Sequence, residues 1–179
     1  MYRKCTTERS AQHQRQVTAS LLELMQKMPY EEITVTQLCQ SAGVTRRIFY
    51  HLFNNKTGAL YALMDQKILD IGSAFPEVED AAVQFFLYWR EQKQLFDALY
   101  SNGFVGLLLE RMITNVLRED YDLLYWLHRK GWKQEQEVLI YHITGVMGLV
   151  CSWYFRGYDR SPEDMAALLR HMIVLPLAE

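Results

Sequence analysis

The sequence predicts an all-α protein with about nine helices, arranged as a three-helix unit at the amino end followed by a helical body. Helix-forming residues are plentiful along the 179-residue chain. The four prolines lie at expected helix ends rather than inside periodic stretches, at Pro29, Pro76, Pro162 and Pro176. A helix cap, a glycine turn and a second cap follow one another between residues 33 and 53.

A first helix is predicted over residues 7–28. Val17, Leu21 and Leu24 repeat at spacings of four and three residues and form a single apolar stripe. A stripe of this kind is typical of a helix that packs with one side against a core. Pro29 follows and should end the helix.

The residues after Ile33 predict a short helix and a tight turn. Thr34 and Gln37 have the spacing of a capping box, in which the hydroxyl accepts a backbone N–H and the amide side chain reaches back to the cap. This predicts a helix over residues 35–42. Gly43 should end it, because glycine enters the left-handed conformation at little steric cost.

A second short helix is predicted to begin at Arg46, with Thr45 as its cap. Two short helices joined by a tight turn with glycine form a helix-turn-helix, whose second helix meets base edges with its first turn. Arg46 and Arg47 occupy that turn and oppose the helix dipole, a cost that an external polyanion would offset. Alone, the two arginines are better explained as solvated surface residues; with the caps, the turn and the aromatic pair Phe49 and Tyr50, they favour DNA binding.

Residues 29–64 resemble the DNA-binding domain of TetR/AcrR-family transcription regulators. The resemblance lies in an I-T-V start, an A-G-V-[ST]-R turn, F-Y-x-x-F and a lysine before a new helix, within PYEEITVTQLCQSAGVTRRIFYHLFNNKTGALYALM. It implies that these side chains face DNA: Thr36, Thr45, Arg46, Arg47, Tyr50, His51 and Lys56. The chain departs from the family at Gly58, where a helix former is usual, and at Arg47, which is often a small residue.

The charge distribution is also that of a DNA-binding domain attached to another unit. Residues 1–56 carry eight basic and four acidic side chains, a balance of +4, while the whole chain carries −2 and the remainder therefore −6. Chance asymmetry remains an alternative at this size of difference. Arg3 and Lys4 form a basic amino-terminal arm that would add phosphate contacts.

A fourth helix is predicted over residues 56–72, with Asn55 as its cap and Gly72 at its end. The expected organisation is a helix-turn-helix DNA-binding domain at 1–55, a connecting helix at 56–72, and a helical dimerisation and effector-binding domain at 73–179. The body is predicted to be helical over 78–94, 95–102, 104–130, 133–156 and 162–175.

The last two helices predict a homodimer interface. The helix over 133–156 is apolar over most of its circumference and must be covered on more than one side. TetR-family dimers pair their last two helices, and by this resemblance the expected interface residues are Ile143, Val146, Val150, Trp153, Leu168 and Met172. The alternative is that these side chains fill the core of one protomer. A dimer would hold two helix-turn-helix units at the spacing of a palindromic operator.

The body also resembles the TetR subgroup of dihydroxyacetone kinase operon regulators, through FFLYWREQKQLFDALYSNGF and ITGVMGLVCSWYFRGYDRSPEDMAALLRHMI. Bodies of this family commonly hold a small-molecule effector between helices. The expected lining of such a site is mostly apolar with a few polar groups, namely Phe85, Tyr88, Trp89, Phe96, Phe104, Met112, Trp126, His142 and Met147. For each residue taken singly, simple core packing is the better explanation.

Other classes of function have little support. No uninterrupted apolar run reaches the roughly 20 residues of a membrane span, and the amino end lacks a signal-peptide core. The motifs G-x-S-x-G and H-E-x-x-H and a Gly-rich phosphate loop are missing, so neither catalytic residues nor a cofactor or metal is expected. Cys5, Cys39 and Cys151 have no metal or redox spacing.

The sequence therefore predicts a cytoplasmic, homodimeric transcription regulator of the TetR type, acting as a repressor on a palindromic double-stranded DNA operator and responding to a small-molecule effector. The alternative is a helical dimerisation or adaptor protein that has lost DNA binding.

Overall fold

A computed structural model describes residues 2–74, 80–117 and 136–173. Within these ranges the chain forms nine α-helices, one short 3₁₀ turn at Tyr30–Glu32 and no sheet, which confirms the all-α prediction. The helices are α1 Glu8–Met25, α2 Val35–Ala42, α3 Arg46–Leu52, α4 Lys56–Ala74, α5 Ala81–Glu91, α6 Lys93–Ser101, α7 Val105–Leu117, α8 Gln136–Phe155 and α9 Pro162–Ile173.

The chain divides into two compact units. The first unit consists of Met1–Lys67 and Gln94–Arg111, and the second of Ile68–Lys93 and Met112–Glu179. The division falls inside α4, after the first residue of α6 and inside α7, so the first unit takes in α6 from Gln94 and the start of α7. The organisation predicted from sequence, with boundaries after residues 55 and 72, stays a prediction.

In the first unit, α1, α2 and α3 pack around a shared core. Leu21, Leu38 and Phe49 are completely buried there, and Phe53 closes the core after α3. Helix α1 ends three residues before the predicted position 28. The residue before a proline disfavours helical geometry, and the backbone N–H groups of Lys27 and Met28 turn back to the carbonyl of Leu24.

The helix-turn-helix forms as its caps predict. Thr34 Oγ1 accepts the backbone N–H of Gln37 at 3.2 Å, and Gln37 Oε1 accepts that of Thr34 at 2.9 Å. Gly43 ends α2 at φ 65°. Thr45 Oγ1 accepts the backbone N–H of Ile48 at 3.2 Å, which fixes the start of α3 at Arg46. The bounds of α2 and the start of α3 agree with the prediction to the residue.

We expect Gly43→Ala to lower the free energy of unfolding by about 1–2 kcal/mol, because a side chain strains a left-handed backbone. No atom lies within 4 Å of a Cβ at this position, so strain rather than a clash would be the cause. Gly106 is the matched control: it is helical, equally open, and expected to tolerate Ala or gain up to about 1 kcal/mol. Urea unfolding measures both, and equal losses would contradict the explanation.

In the second unit, α5 packs against α8 and α9. Trp153 is fully buried, with its ring edge-on to that of Phe86 at 5.7 Å between centroids. Its indole N–H donates to the carbonyl of Arg160 at 3.1 Å, which fixes the turn between α8 and α9. Ser161 then caps α9 by accepting the backbone N–H of Asp164 at 3.1 Å.

Helix α8 carries one face that the protomer covers and one that it leaves open. Four predicted interface residues, Ile143, Val146, Val150 and Trp153, are buried inside the protomer, and α5 packs against this helix. Of the α9 pair, Leu168 is half-buried and Met172 is 51% exposed. A separate stripe of α8, here called the α8 stripe, is exposed at every position: Val138, Tyr141, Gly145, Gly148, Ser152 and Phe155.

The length and apolarity of α8 meet the criterion for a membrane span, with a mean hydropathy of 1.5 over an 18-residue window. The helix has 20 residues and includes Gln136, Glu137 and His142, so its apolar positions do not form an uninterrupted run. Core helices of soluble proteins pass the same test; in α8, 28% of this window is buried, and α5 packs against the helix.

Candidate nucleic-acid interface

The outer surface of the helix-turn-helix brings together most of the predicted DNA-facing side chains. Thr36, Thr45, Arg46, Arg47, Tyr50 and His51 are all exposed in the structure. Arg46 has two polar or aromatic neighbours: its Nη1 lies 3.5 Å from Thr36 Oγ1, a long hydrogen bond, and its guanidinium lies over the Tyr50 ring at 5.9 Å. These contacts hold Arg46 at the junction of α2 and α3.

Arg47 belongs to a different surface. Together with Tyr50 and His51 it lines an open groove of about 660 Å³ between α3, the start of α1 and the amino-terminal arm. The groove contains three arginines and two histidines, and no carboxylate lines it. We call it the basic groove; its charged and ring-bearing lining is Arg3, Arg9, His13, Arg47, Tyr50 and His51.

The amino-terminal arm is fixed against the groove by its backbone and by one side chain. Tyr2 forms an isolated antiparallel bridge with Phe53. The backbone N–H of Arg3 donates to the carbonyl of Leu52 at 2.9 Å, and Gln14 Nε2 donates to the carbonyl of Arg3 at 3.3 Å. The arm therefore runs alongside the end of α3 with the Arg3 side chain exposed.

Lys56, the remaining predicted DNA contact, is held by the first unit's own backbone. Its Nζ donates to the carbonyls of Tyr30 at 2.5 Å and Glu31 at 3.3 Å, and lies 4.1 Å from the centroid of the Tyr30 ring. Burial lowers the pKa of this ammonium, and the Glu31 charge partly opposes that change. Lys56 thus ties the start of α4 to the turn after α1, and its phosphate contact stays a prediction.

A buried charge cluster lies behind the arm. Asp65 on α4 accepts Arg111 Nε at Oδ1 at 2.9 Å and Arg111 Nη2 at Oδ2, a bidentate pair. The hydroxyl of Tyr2 donates to the same carboxylate at 2.7 Å, and the Arg111 guanidinium lies over the Tyr61 ring at 4.9 Å. The sequence analysis missed this cluster, because its members are 46 and 63 residues apart along the chain.

It also missed Arg9 and His13 in the basic groove. Arg9 and His13 are four residues apart on α1 and so share one face of that helix, a spacing that the sequence does display. The sequence gives no indication that α3 and the amino-terminal arm lie beside this face of α1.

The cysteines are free thiols. Burial raises the pKa of Cys39, partly opposed by the nearby charge of Arg46, and burial also raises the pKa of Cys151. Both changes disfavour the thiolate, which is the form that reacts. Cys5 is half-buried in the arm. Among the described residues no group of three or more His, Cys, Asp or Glu could hold a metal ion.

The residues predicted to line an effector site are distributed over both units. Phe96 and Phe104 lie in the first, where the Phe104 ring packs edge-on to Tyr30 at 5.0 Å. The second unit contains Phe85, Tyr88, Trp89, Met112, His142 and Met147. Burial lowers the pKa of His142, which favours its neutral form. Trp126 lies outside the described residues. The effector site stays a prediction.

No protein-family model and no curated protein matches the chain. Among solved structures, the fold is similar to that of a protein named dihydroxyacetone kinase operon activator DhaS, with a TM-score of 0.63 and 16% identity, covering 90% of this chain and 94% of that one. Fatty acid degradation regulator FadR from Bacillus halodurans matches at a TM-score of 0.47 and 13% identity, covering 98% of this chain and 100% of that one. At such identities the DhaS likeness establishes a shared all-helical fold.

Proposed function

We propose that the chain is a sequence-specific DNA-binding transcription regulator of the TetR type that acts in the cytoplasm. The observation that carries the proposal is the exposed first turn of α3. Arg46 and Arg47 stand there at the positive end of the helix dipole, and neither has an ion-pair partner among the described residues. A polyanion supplies the missing countercharge, and duplex DNA fits a helix-turn-helix.

The shared fold with a protein named as an operon activator supports the same function. The sequence does not distinguish repression from activation, and repression is the direction we propose. A reporter gene driven by the operator, measured with and without this protein, determines the direction: lower expression with the protein present is the result expected of a repressor.

The proposal includes a homodimer. A palindromic operator has two half-sites about 34–36 Å apart or a multiple of this, and a two-fold dimer matches that symmetry. We place the dimer contact on the α8 stripe, because the protomer leaves it uncovered while it is apolar or small at every position. Gly145 and Gly148 at its centre would let two helices approach closely, as nothing lies within 4 Å of a Cβ at either.

A small-molecule effector would act through the second unit. Helix α4 belongs to both units, since Lys67 ends the first and Ile68 begins the second. A shift of the second unit on effector binding would therefore move the helix that Lys56 ties to the helix-turn-helix.

Fluorescence anisotropy against tiled DNA fragments that flank the protein's own gene tests the proposal at low and near-physiological salt. We expect one fragment to stay bound at the higher salt while the others are released, since sequence-independent contacts are lost first as salt rises. Equal, salt-sensitive binding to every fragment, or no binding with or without cell metabolites, would contradict it and favour a dimerisation or adaptor protein.

A further inference from the structure

The two arginines at the start of α3 face different surroundings. Arg46 lies near Thr36 on α2 and over the Tyr50 ring. Arg47 lines the basic groove with Arg3 and Arg9. Consecutive helical residues point about 100° apart, so one helix turn presents its two cations to two surfaces.

The basic groove has an excess of positive charge that the protein does not neutralise. Arg3, Arg9 and Arg47 make no ion pair with any carboxylate in the described parts of the chain. Glu8 is the acidic residue of the first turn of α1, and it is held by Arg15 at 2.6 Å. The three cations are exposed to solvent, and their concentration in one groove without a carboxylate makes the groove attractive to an anion from outside.

The shape of the groove indicates which anion. Three separate segments line it, the arm, α1 and α3, and the arm is anchored along the end of α3 by the Arg3 N–H bond to Leu52. A strand of phosphodiester backbone offers successive charges along such a groove, whereas a base edge is read by a side chain that projects away from the protein into the major groove.

Resting on the function proposed above, we propose that the basic groove clamps the phosphodiester backbone of duplex DNA. Arg47 acts in this clamp with Arg3 and Arg9 and carries no sequence information. Arg46, held by Thr36 and Tyr50, is the member of the pair that reads bases. This revises the expectation that both arginines, as residues of the first turn of α3, meet base edges.

The test uses the full-length protein, the retained operator fragment and a scrambled duplex of equal length, with anisotropy over a salt series. We expect Arg47→Ala and Arg9→Ala to weaken both duplexes by the same factor and each to lower the salt slope by about 1 per half-site, which is about 2 per bound dimer. Arg46→Ala should lose roughly 5- to 150-fold per half-site on the operator, with little change on the scrambled duplex.

Lysine replacements separate the two roles further. A phosphate is neutralised by lysine as well as by arginine, so Arg47→Lys should retain most of the affinity for DNA. Arg46→Lys should lose affinity for the operator, because lysine cannot make the bidentate hydrogen bonds of a guanidinium to a base. Arg90→Ala, which removes an exposed cation from α5, controls for net charge and should change neither duplex.

Three results would overturn the assignment. A fall in the operator-to-scrambled ratio on Arg47→Ala, with an unchanged salt slope, would make Arg47 a base reader. Unchanged binding of both duplexes by the Arg47 and Arg9 variants would show that the groove does not touch DNA. Wild-type protein that binds neither duplex at any salt would refute the proposed function itself, and with it the clamp.

Discussion

Replacing Arg111 with alanine should lower the free energy of unfolding by about 3–5 kcal/mol, because it leaves the charge of Asp65 buried without its partner. Only 3% of the Asp65 side chain and 12% of the Arg111 side chain are exposed. The hydroxyl of Tyr2 would remain as a neutral donor to that carboxylate. For a chain of this size the loss corresponds to a fall in Tm of roughly 6–20 °C.

The matched control is Arg170→Ala, which removes the arginine of an exposed pair. Arg170 Nη1 lies 2.8 Å from Asp80 Oδ1, but 51% and 43% of the two side chains are exposed. Water screens such a pair, and its loss should cost at most about 1 kcal/mol. Urea unfolding of the wild type and the two single variants measures the free energy of unfolding of each. If Arg111→Ala loses no more of it than Arg170→Ala, water must reach Asp65. The double variant Asp65→Leu with Arg111→Met should recover most of the stability.

Glutamate at Gly148 should convert the dimer to a monomer and weaken operator binding by about 10²–10⁴-fold, since each helix-turn-helix would then bind its half-site alone. Gly148 lies at the centre of the α8 stripe, and among the described residues no atom outside the local backbone of α8 lies within 4 Å of a Cβ there. The protomer should therefore fold normally, while two glutamates would meet at the two-fold axis. Light scattering after gel filtration measures the mass, and anisotropy the affinity.

Gly106→Glu is the control for this change, because Gly106 is an exposed helical glycine of α7 with the same open surroundings. It should leave mass and affinity as in the wild type. If the Gly148→Glu variant remains dimeric, the dimer contact lies elsewhere on the protein. A monomeric variant that retains full operator affinity would instead refute the need for a dimer.

The sequence was sufficient for structure that depends on neighbouring residues. Thr34, Gln37, Gly43 and Thr45 act within three or four positions of themselves, so their spacing contains all the information that a cap or a turn requires. The start of α3, and with it the position of Arg46, could be read in this way.

The sequence was insufficient where distant segments meet. Helix α8 is apolar nearly all round, so its hydrophobic pattern could not distinguish the side that packs on α5 from the exposed side. Val150 and Trp153 consequently looked like interface residues, yet they are completely buried in the protomer. The same holds for Arg9 and Arg47, which share a groove only because α1 and α3 pack together.

The bond between Asp65 and Arg111 has a consequence for how the protein is made. The chain leaves the ribosome from its amino end, and the unit that holds the helix-turn-helix is completed by residues from much further along. Besides Arg111, these include Asn102, whose Oδ1 accepts the Tyr30 N–H at 2.6 Å. The first 67 residues therefore emerge with Asp65 still lacking the charge of Arg111. This unit reaches its final stability only after the intervening helix α5 has been synthesised.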